Sequence, residues 1–280
     1  MYILLYNKNM KVGIYCNSTT KKFLPIQEAL LSLLNSRGIE YSLCYTPEEI
    51  GSPEILIVLG GDGTILKAAI DAGKKGIKIL GINSGSLGFL TEFEGEQIER
   101  AVSLISGNYT TEKRSVLEIC SGGQKWYALN EALFFRRYNE NAENNVVVLT
   151  AKIDGKKVDT FVGDGIIIST PTGSTAYSLS AGGAILTPDL RAFILTPVCT
   201  HSLHNRPIVY SDESKLTVIT EDVEDSVALY CDGRFCANLK KGENPVIKKA
   251  GFEVEFIKSD DNNFFDRLLF KLNKWSDQRG

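Results

Sequence analysis

Apolar and polar positions along the first 110 residues repeat with two periods, which predict strands separated by helices. Short apolar runs predict strands at 11–16, 39–45, 55–59 and 77–82, and helical spacing predicts helices at 23–36, after Thr64 and at 97–106. Strands that alternate with helices favour a parallel sheet, because each helix can serve as the crossover between two strands. We therefore expect an α/β domain over residues 1–110.

From about Lys113 the pattern changes to strand-length runs without helical spacing between them. The predicted strands are 114–120, 125–135, 146–153, 156–161, 166–169, 207–210, 215–220, 227–231 and 252–257. Asp154-Gly155 and Asp232-Gly233 each separate two such runs, and both dipeptides are typical of hairpin turns with positive φ. Residues 111–258 are therefore predicted to form an all-β sandwich domain.

The final segment returns to helical spacing. Over residues 263–275 the apolar positions are Phe264, Phe265, Leu268, Leu269 and Leu272. We interpret residues 259–280 as a terminal segment whose helix packs back on the body of the protein. Binding of this helix to a membrane surface is the weaker alternative.

One loop combines glycines with a carboxylate. Gly60-Gly61-Asp62-Gly63-Thr64 follows the apolar run 55–59 and leads into a predicted helix. The glycines allow close approach of an anionic ligand, and Thr64 could cap the helix, whose N-terminal N–H groups favour phosphate. A carboxylate beside phosphates is repelled by their negative charge unless it accepts a proton or holds a metal ion. Carboxylates perform both of these roles in enzymes that transfer phosphoryl groups. A plain βα turn with Asp62 as a helix cap is the alternative.

Composition excludes several classes of function. The 280 residues include 31 Lys and Arg against 34 Asp and Glu, so the formal net charge is −3. No global field therefore attracts nucleic acid or an anionic membrane, and any anion must be held locally. Lys67, just after the glycine-rich loop, is one candidate cation.

Six scattered cysteines without a C-x-x-C pair are typical of reduced thiols. No apolar run approaches the roughly 20 residues of a membrane span, and the first residues lack the features of a signal peptide. These observations predict a cytoplasmic protein. Cys199, His201 and His204 lie close together in the sequence, but a zinc site needs further ligands and no partner group stands out.

After the GGDGT loop, four further blocks resemble those of the NAD kinase family and follow that family's order. They are GINSGSLGFL at 81–90, Asn130-Glu131, Gly163-Asp164-Gly165, and STPTGSTAYSLSAGG at 169–183. GGDGT alone also occurs in lipid kinases and, in a related form, in phosphofructokinases, so the later blocks select the dinucleotide. The chain departs from the family at Thr200 and Ala184, where the family often has Pro.

The resemblance implies transfer of the terminal phosphoryl group of ATP, or of inorganic polyphosphate, to the adenosine ribose 2'-hydroxyl of NAD, which gives NADP. It also implies an α/β domain, a β-sandwich domain and an active site between them. Mg²⁺ carried by the nucleotide, without a dedicated protein metal site, would bridge the donor phosphates. A homodimer or homotetramer is the implied assembly.

The resemblance also assigns roles to residues. Asp62 is implied as the base that takes the proton of the 2'-hydroxyl. The implied phosphate loop consists of Gly60, Gly61, Gly63, Thr64 and Lys67. The implied NAD-binding residues are Gly63, Asn83, Phe89, Asn130, Glu131, Asp164, Thr172, Thr175, Ala176, Tyr177 and Ser180, with Asn130 and Glu131 near the adenosine and Asp164 at the nicotinamide end.

Each of these assignments has a structural alternative. Glu131 is otherwise an exposed strand carboxylate, Asp164 a turn residue, and Thr172 a helix cap. At the level of function, a lipid or sugar kinase would also need Asp62 but not the later blocks. A non-catalytic NAD(P)-binding regulator would need no acid in the phosphate loop, and a metal hydrolase would have to use Cys199 and the two histidines.

Overall fold

The structure is a computed structural model that describes residues 10–16, 23–85, 88–137, 146–200, 206–220, 227–239, 242–259 and 263–277. The chain forms two compact units. The first consists of Met1–Lys113 together with Val254–Gly280, and the second of Arg114–Glu253.

The first unit has the predicted alternation of strands and helices. Its strands are β1 (Lys11–Cys16), β2 (Glu40–Cys44), β3 (Ile55–Leu59), β4 (Lys78–Asn83), β5 (Phe93–Glu94), β6 (Thr110–Arg114) and β19 (Val254–Lys258). Its helices are α1 (Leu24–Ser36), α2 (Asp62–Lys74), α3 (Ile98–Ile105) and α5 (Phe264–Asp277), with short 3-10 turns at Pro47–Glu49 and Gly95–Gln97. The sheet order is β2-β1-β3-β4-β19-β6, and β5 pairs with β4.

The predicted parallel pairing is confirmed for β1 with β2 and β3, and for β3 with β4. All five residues of β3 are buried, as expected for a central strand of a sheet covered on both faces. Leu30 and Leu34 of α1 and Val102 of α3 pack in the same apolar cluster as the strands. This packing fixes the end of β3, where the glycine-rich loop begins.

The second unit is a β-sandwich of two six-stranded antiparallel sheets. Its strands are β7 (Leu117–Ser121), β8 (Gln124–Ala128), β9 (Glu131–Arg136), β10 (Val147–Ile153), β11 (Lys156–Gly163), β12 (Gly165–Ser169), β13 (Ala192–Val198), β14 (Ile208–Ser211), β15 (Leu216–Thr220), β16 (Val227–Cys231), β17 (Arg234–Asn238) and β18 (Val246–Lys249). One sheet has the order β11-β10-β15-β18-β7-β8 and the other β14-β13-β12-β9-β16-β17. Phe134 and Leu195 of the second sheet share one core with Leu149 and Val218 of the first.

Both predicted hairpin turns are confirmed. Asp154 and Asp232 each have φ of 49°, and each is followed by a glycine with positive φ. The Asp154 turn joins β10 to β11 and the Asp232 turn joins β16 to β17. Two successive left-handed residues match the twist of the flanking strands, so a local dipeptide was enough to predict the turn.

Two strand predictions differ from the structure. The run 252–257 was assigned to the sandwich, but β19 pairs in parallel with β4 in the first unit, with Phe256 opposite Ile79. The run 125–135 was predicted as one strand, but it forms β8 and β9, which belong to different sheets. Strands β5, β6, β13 and β18 were absent from the predicted set, and the run after Asp232-Gly233, which forms β17, was predicted without bounds.

The C-terminal helix α5 begins one residue later than predicted and extends to Asp277. Its expected apolar packing is only partly present, because Phe265 and Leu269 are 65% and 61% exposed. Among the helix side chains described, Phe264 to Lys274, Arg267 is the one buried residue. Within the described part of the chain, no helix combines the length and apolar character that crossing a membrane requires.

Candidate active site

The glycine-rich loop connects the end of β3 to α2 in a tight turn. The N–H of Gly60 donates to the carbonyl of Ile82 at 2.9 Å, so the loop stays attached to the end of β4. A Cβ atom on Gly60 would lie 2.4 Å from the side chain of Thr64, which explains the need for glycine there. Gly61 is the N-cap residue and Asp62 the first residue of α2.

Asp62 does not cap its own helix, so the capping alternative is wrong. Its Oδ2 accepts the backbone N–H of Phe89 at 2.9 Å and its Oδ1 accepts that of Leu90 at 3.0 Å. The carboxylate is therefore oriented by a turn that follows β4, at the same edge of the sheet. Thr64 was also predicted as a cap, but it lies inside the first helical turn, where its N–H donates to the carbonyl of Gly61.

The other predicted residues of the first unit lie around this loop. A Cβ atom on Gly61 would lie 3.9 Å from Nδ2 of Asn83, so the end of β4 adjoins the glycines. The Oδ1 atom of Asn83 accepts the N–H of Ser84 at 2.8 Å. Gly63 and Lys67 are exposed on α2. Ser86 and Leu87 of the second motif lie outside the described residues.

The turn 88–91 was missed as a partner of Asp62. The contact of Phe89 with NAD stays a prediction. In the structure its N–H donates to Asp62, and its ring lies 6.4 Å from that of Phe264. A Cβ atom on Gly88 would lie 2.0 Å from Oδ1 of Asp62. The sequence contained one signal for this contact, the glycine at position 88. Its partner Asp62, 26 positions earlier, could not be inferred from that glycine alone.

Asn130 and Glu131 lie where the chain passes from β8 to β9. The carboxylate of Asp232 accepts three backbone N–H bonds there, from Leu129 at 2.8 Å, Asn130 at 2.7 Å and Glu131 at 3.2 Å. Because these N–H groups are used by a side chain, the predicted continuous strand is broken at this point. Asp232 was predicted only as a turn residue, so its role in shaping this segment was missed.

Glu131 is a buried carboxyl group, so its alternative interpretation as an exposed strand residue is wrong. Its side chain is 8% exposed, and its Oε2 atom has no hydrogen-bond partner. Burial, together with the nearby carboxylate of Asp232, raises the pKa of Glu131 to about 7. The group therefore takes up a proton far more readily than an ordinary glutamate, and in its protonated form it can act as a donor as well as an acceptor toward a ligand.

Asp164 lies between β11 and β12 and is paired with a cation. Its Oδ1 accepts the Nε–H of Arg136 at 2.6 Å, and its carbonyl accepts the N–H of Arg136 at 2.8 Å. Both side chains are partly exposed, at 29% for Arg136 and 26% for Asp164. The ion pair fixes the carboxylate of Asp164 while leaving part of it accessible.

The segment 170–183 packs directly against Asn130. The carbonyl of Asn130 accepts the N–H of Thr170 at 2.9 Å, and a Cβ atom on Gly173 would lie 2.2 Å from that carbonyl oxygen. Thr172 begins a 3-10 helix (Thr172–Thr175), where its hydroxyl accepts a hydrogen bond from the buried guanidinium of Arg114 at 3.2 Å. Thr172 is therefore a buried partner of Arg114. The residue in the cap position of the helix is Pro171, so the alternative interpretation of Thr172 as a helix cap is wrong.

The predicted binding residues of this segment differ in accessibility. Thr175 and Ala176, just before helix α4 (Tyr177–Ser180), are half-buried, and Tyr177 and Ser180, at its two ends, are exposed. Burial, and then the charges of Cys199, Asp164 and Glu131, raise the pKa of Tyr177. Glu131 and Asp164 therefore lie near enough to Tyr177, within the second unit, for their charges to act on it.

The cysteine predictions can be checked in part. Each of the six cysteines has a free thiol. The part of the chain that the structure describes contains no group of three His, Cys, Asp or Glu side chains that could hold a metal. His201 and His204, on which the metal-hydrolase alternative depends, lie outside the described residues.

These features define a kinase-type phosphotransferase. The α/β unit has a carboxylate at the glycine-rich N-terminus of a helix, and the β-sandwich unit carries the acidic and hydroxyl groups just described. Family models agree with this class. The ATP-NAD kinase N-terminal domain matches residues 44–109 and the ATP-NAD kinase C-terminal domain matches residues 129–259. The chain belongs to the NAD kinase family.

Relatives extend the similarity over most of the chain. An NAD kinase of Desulforamulus reducens is 39% identical over 234 residues, 81% of this chain and 80% of the relative. An NAD kinase of Geotalea daltonii is 34% identical over 96% of this chain and 99% of the relative. The crystal structure of an NAD kinase from Archaeoglobus fulgidus in complex with ATP is 28% identical, with a TM-score of 0.75, and covers 92% of this chain and 98% of that one.

Proposed function

We propose that this enzyme transfers the terminal phosphoryl group of ATP to the 2'-hydroxyl of the adenosine ribose of NAD, with Asp62 as the general base. The main support is the orientation of the Asp62 carboxylate by the N–H groups of Phe89 and Leu90, in a chain that belongs to the NAD kinase family. That carboxylate lies at the N-terminus of α2, where phosphate oxygens are favoured.

The chemistry requires such a carboxylate. A secondary hydroxyl is a poor nucleophile at neutral pH, so a base within about 3 Å must take its proton as the new bond forms. Each oxygen of Asp62 accepts one backbone N–H, and an ionised carboxylate has about four lone-pair positions, so acceptor capacity remains for the substrate hydroxyl. Gly60, Gly61, Gly63, Thr64 and Lys67 form the proposed phosphate-binding loop.

The proposal names dinucleotide-binding residues in each unit, taken by itself. In the first unit these are Gly63, Asn83 and Phe89. In the second unit they are Asn130, Glu131, Asp164, Thr172, Thr175, Ala176, Tyr177 and Ser180. The proximity of the Glu131 and Asp164 charges to Tyr177 supports a shared ligand site there, because acidic and phenolic groups of this kind can bind ribose hydroxyls and amide groups.

We assign Mg²⁺ to the phosphates of the bound nucleotide. No group of three His, Cys, Asp or Glu side chains among the described residues could hold a metal, so we propose the phosphate oxygens of the nucleotide as the main ligands of the ion. When bound, the ion would offset the charge that develops on the donor phosphates.

The test is a direct assay of the reaction. Purified protein is incubated with NAD and Mg²⁺, and with either ATP or inorganic polyphosphate as donor, and NADP is measured by an enzymatic cycling assay. We expect NADP with ATP, and a parallel arm with NADH measures the range of acceptors. If no NADP forms with either donor, while a lipid or a sugar is phosphorylated, the proposal is wrong.

We further propose that the enzyme is a homo-oligomer. The outer strands of one sandwich sheet, β14 and β17, carry the exposed apolar side chains of Val209 and Phe235. Exposed apolar edge strands favour association with another chain. Light scattering at micromolar concentration should give the mass of a dimer or tetramer, and a monomer mass would contradict the proposal.

A further inference from the structure

The C-terminal helix α5 brings one buried cation to the turn that orients Asp62. Arg267 is 7% exposed, and its Nη1 donates to the carbonyl of Thr91 at 2.7 Å and to that of Phe89 at 3.3 Å. Its Nη2 donates to Oε2 of Glu92 at 2.6 Å. Three acceptors within four consecutive residues therefore receive hydrogen bonds from one guanidinium.

A single peptide group links this cation to the carboxylate of Asp62. The carbonyl of Phe89 and the N–H of Leu90 belong to the same planar peptide unit. Its carbonyl accepts from Arg267 and its N–H donates to Oδ1 of Asp62 at 3.0 Å. A charged donor on the carbonyl polarises the peptide, which strengthens the N–H as a donor and fixes the plane in which it points.

Glu92 fixes Arg267 in this position. The Glu92 side chain is 2% exposed, and its Oε1 accepts from the N–H and the hydroxyl of Ser259 at 2.9 and 2.7 Å. Burial would raise the pKa of Glu92, but the charges of Lys258 and Arg267 outweigh it and lower that pKa below its usual value. The carboxylate is therefore ionised at neutral pH and holds the guanidinium by charge as well as by hydrogen bonding.

Lys258 provides an internal comparison. Its ammonium group donates to Oε2 of Glu92 at 2.5 Å, so it shares the buried carboxylate with Arg267. Within the described residues its ammonium hydrogen-bonds to Glu92 and to no carbonyl of the turn 88–91. Loss of Lys258 would disturb the same buried charge cluster without removing a bond to that turn.

We propose that Arg267 is a positioning residue for phosphoryl transfer, which acts by holding the peptide between Phe89 and Leu90 in the orientation that aligns the Asp62 carboxylate. This inference rests on the proposed role of Asp62 as the base. It assigns to the C-terminal helix a role in turnover that does not require α5 to contact either substrate.

The first experiment compares Arg267→Met with Lys258→Met in the full chain. We expect Arg267→Met to lower kcat by roughly tenfold while the KM for NAD changes by less than about twofold, because the loss concerns alignment and not ground-state binding. Lys258→Met should lower the Tm to a similar extent but leave kcat within about twofold of wild type. Equal losses of kcat in the two variants would overturn the proposal, since they would indicate general damage to the charge cluster.

Arg267→Lys addresses the case in which Arg267→Met does not fold. A lysine keeps the charge near Glu92, but its compact ammonium lacks the fork that reaches the carboxylate and two carbonyls together. Arg267→Lys should therefore fold and still show reduced kcat. Wild-type kcat in this variant would overturn the proposal.

A double-mutant cycle with Asp62→Asn provides the decisive measurement. If Arg267 acts through Asp62, Arg267→Lys should lower kcat in the wild-type background but not further in the Asp62→Asn background. A full additional loss in that background would overturn the positioning role and leave Asp62 as the base. Wild-type turnover in Asp62→Asn alone would overturn the base assignment, and the positioning role would fall with it.

Discussion

A Cβ atom added to Gly88 would lie 2.0 Å from Oδ1 of Asp62. The carboxylate of Asp62 therefore occupies the space that a side chain at position 88 would need. Gly88→Ala should displace the carboxylate and lower kcat roughly tenfold or more, because small displacements of a catalytic group are costly. Steady-state kinetics with NAD measures the effect, with Gly51→Ala as the control, since a Cβ atom there meets nothing within 4 Å. Wild-type kcat in Gly88→Ala would show that the position of Asp62 does not limit turnover.

Asp62→Asn should fold normally and bind nucleotides, because an amide oxygen can still accept one of the two backbone N–H bonds of the 88–91 turn. Its kcat should fall roughly 100-fold or more, the usual scale for the loss of a general base. Asp71→Asn, on the same helix, is the matched control and should retain wild-type kcat. Binding is measured by calorimetry with NAD, and turnover near the wild-type value in Asp62→Asn would rule out the base assignment.

Glu131 should make the protein less stable as the pH rises. Its pKa is about 7 in the folded state against 4.5 for an ordinary Glu, so between these values the folded state binds more protons than the unfolded chain. The free energy of unfolding therefore falls as the pH rises through that window. Glu131→Gln cannot titrate, so it should lose less stability between pH 5 and pH 8, with a difference on the order of 3 kcal/mol.

Urea unfolding of both proteins at pH 5, 6, 7 and 8 measures this effect. Glu118→Gln is the control, because the lowered pKa of Glu118, next to Lys248, places its titration below that range. Its pH dependence should match that of the wild type. Identical pH dependence of Glu131→Gln and the wild type would mean that Glu131 is already ionised at pH 5.

Asp232 should contribute far more to stability than the other hairpin aspartate. Asp232→Ala removes the acceptor of three backbone N–H groups, whereas Asp154 is exposed and accepts one, from Lys215. Since each buried donor left without a partner costs about 1–3 kcal/mol, we expect a loss of roughly 3 kcal/mol or more for Asp232→Ala. Asp154→Ala is the control, because it places alanine at the same φ of 49° and so reports the effect of the turn conformation alone.

Denaturant unfolding measures the loss of stability in each of the two alanine variants. Steady-state kinetics then compares their KM values for NAD. Because Asp232 shapes the segment that contains Asn130 and Glu131, Asp232→Ala should also raise the KM for NAD. Equal destabilisation of the two variants would show that the strained turn conformation dominates, and that the hydrogen bonds to residues 129–131 contribute little.

Asp164→Ala should weaken the preference for NAD over truncated acceptors such as AMP. If Asp164 binds the nicotinamide end, the ratio of kcat/KM for NAD to that for AMP should fall roughly tenfold, because remote binding energy helps to place the 2'-hydroxyl. Asp159→Ala, in the same unit, should leave the ratio unchanged. If the ratio of kcat/KM for NAD to that for AMP is unaltered in Asp164→Ala, the role of Asp164 is limited to its structural ion pair with Arg136.

The sequence by itself determined the features that depend on neighbouring residues. The buried run of β3 and the glycine-rich turn after it were predicted, because a continuous apolar segment and small residues act locally. The Asp-Gly hairpins were predicted for the same reason, since positive φ is a property of the dipeptide itself. Asp62 was recognised as the unusual residue of its loop without any knowledge of its partners.

Only the tertiary structure decided which distant segments meet. β19 has a strand pattern that suits either unit, and its pairing with β4 comes from packing that no local period encodes. The break at Leu129 and Asn130 depends on Asp232, which lies about a hundred residues away. Arg267 reaches the carbonyl of Thr91 across 176 positions of sequence. Hydrogen bonds and charges depend on distance in space, so a single sequence names the groups that can take part but not the pairs that form.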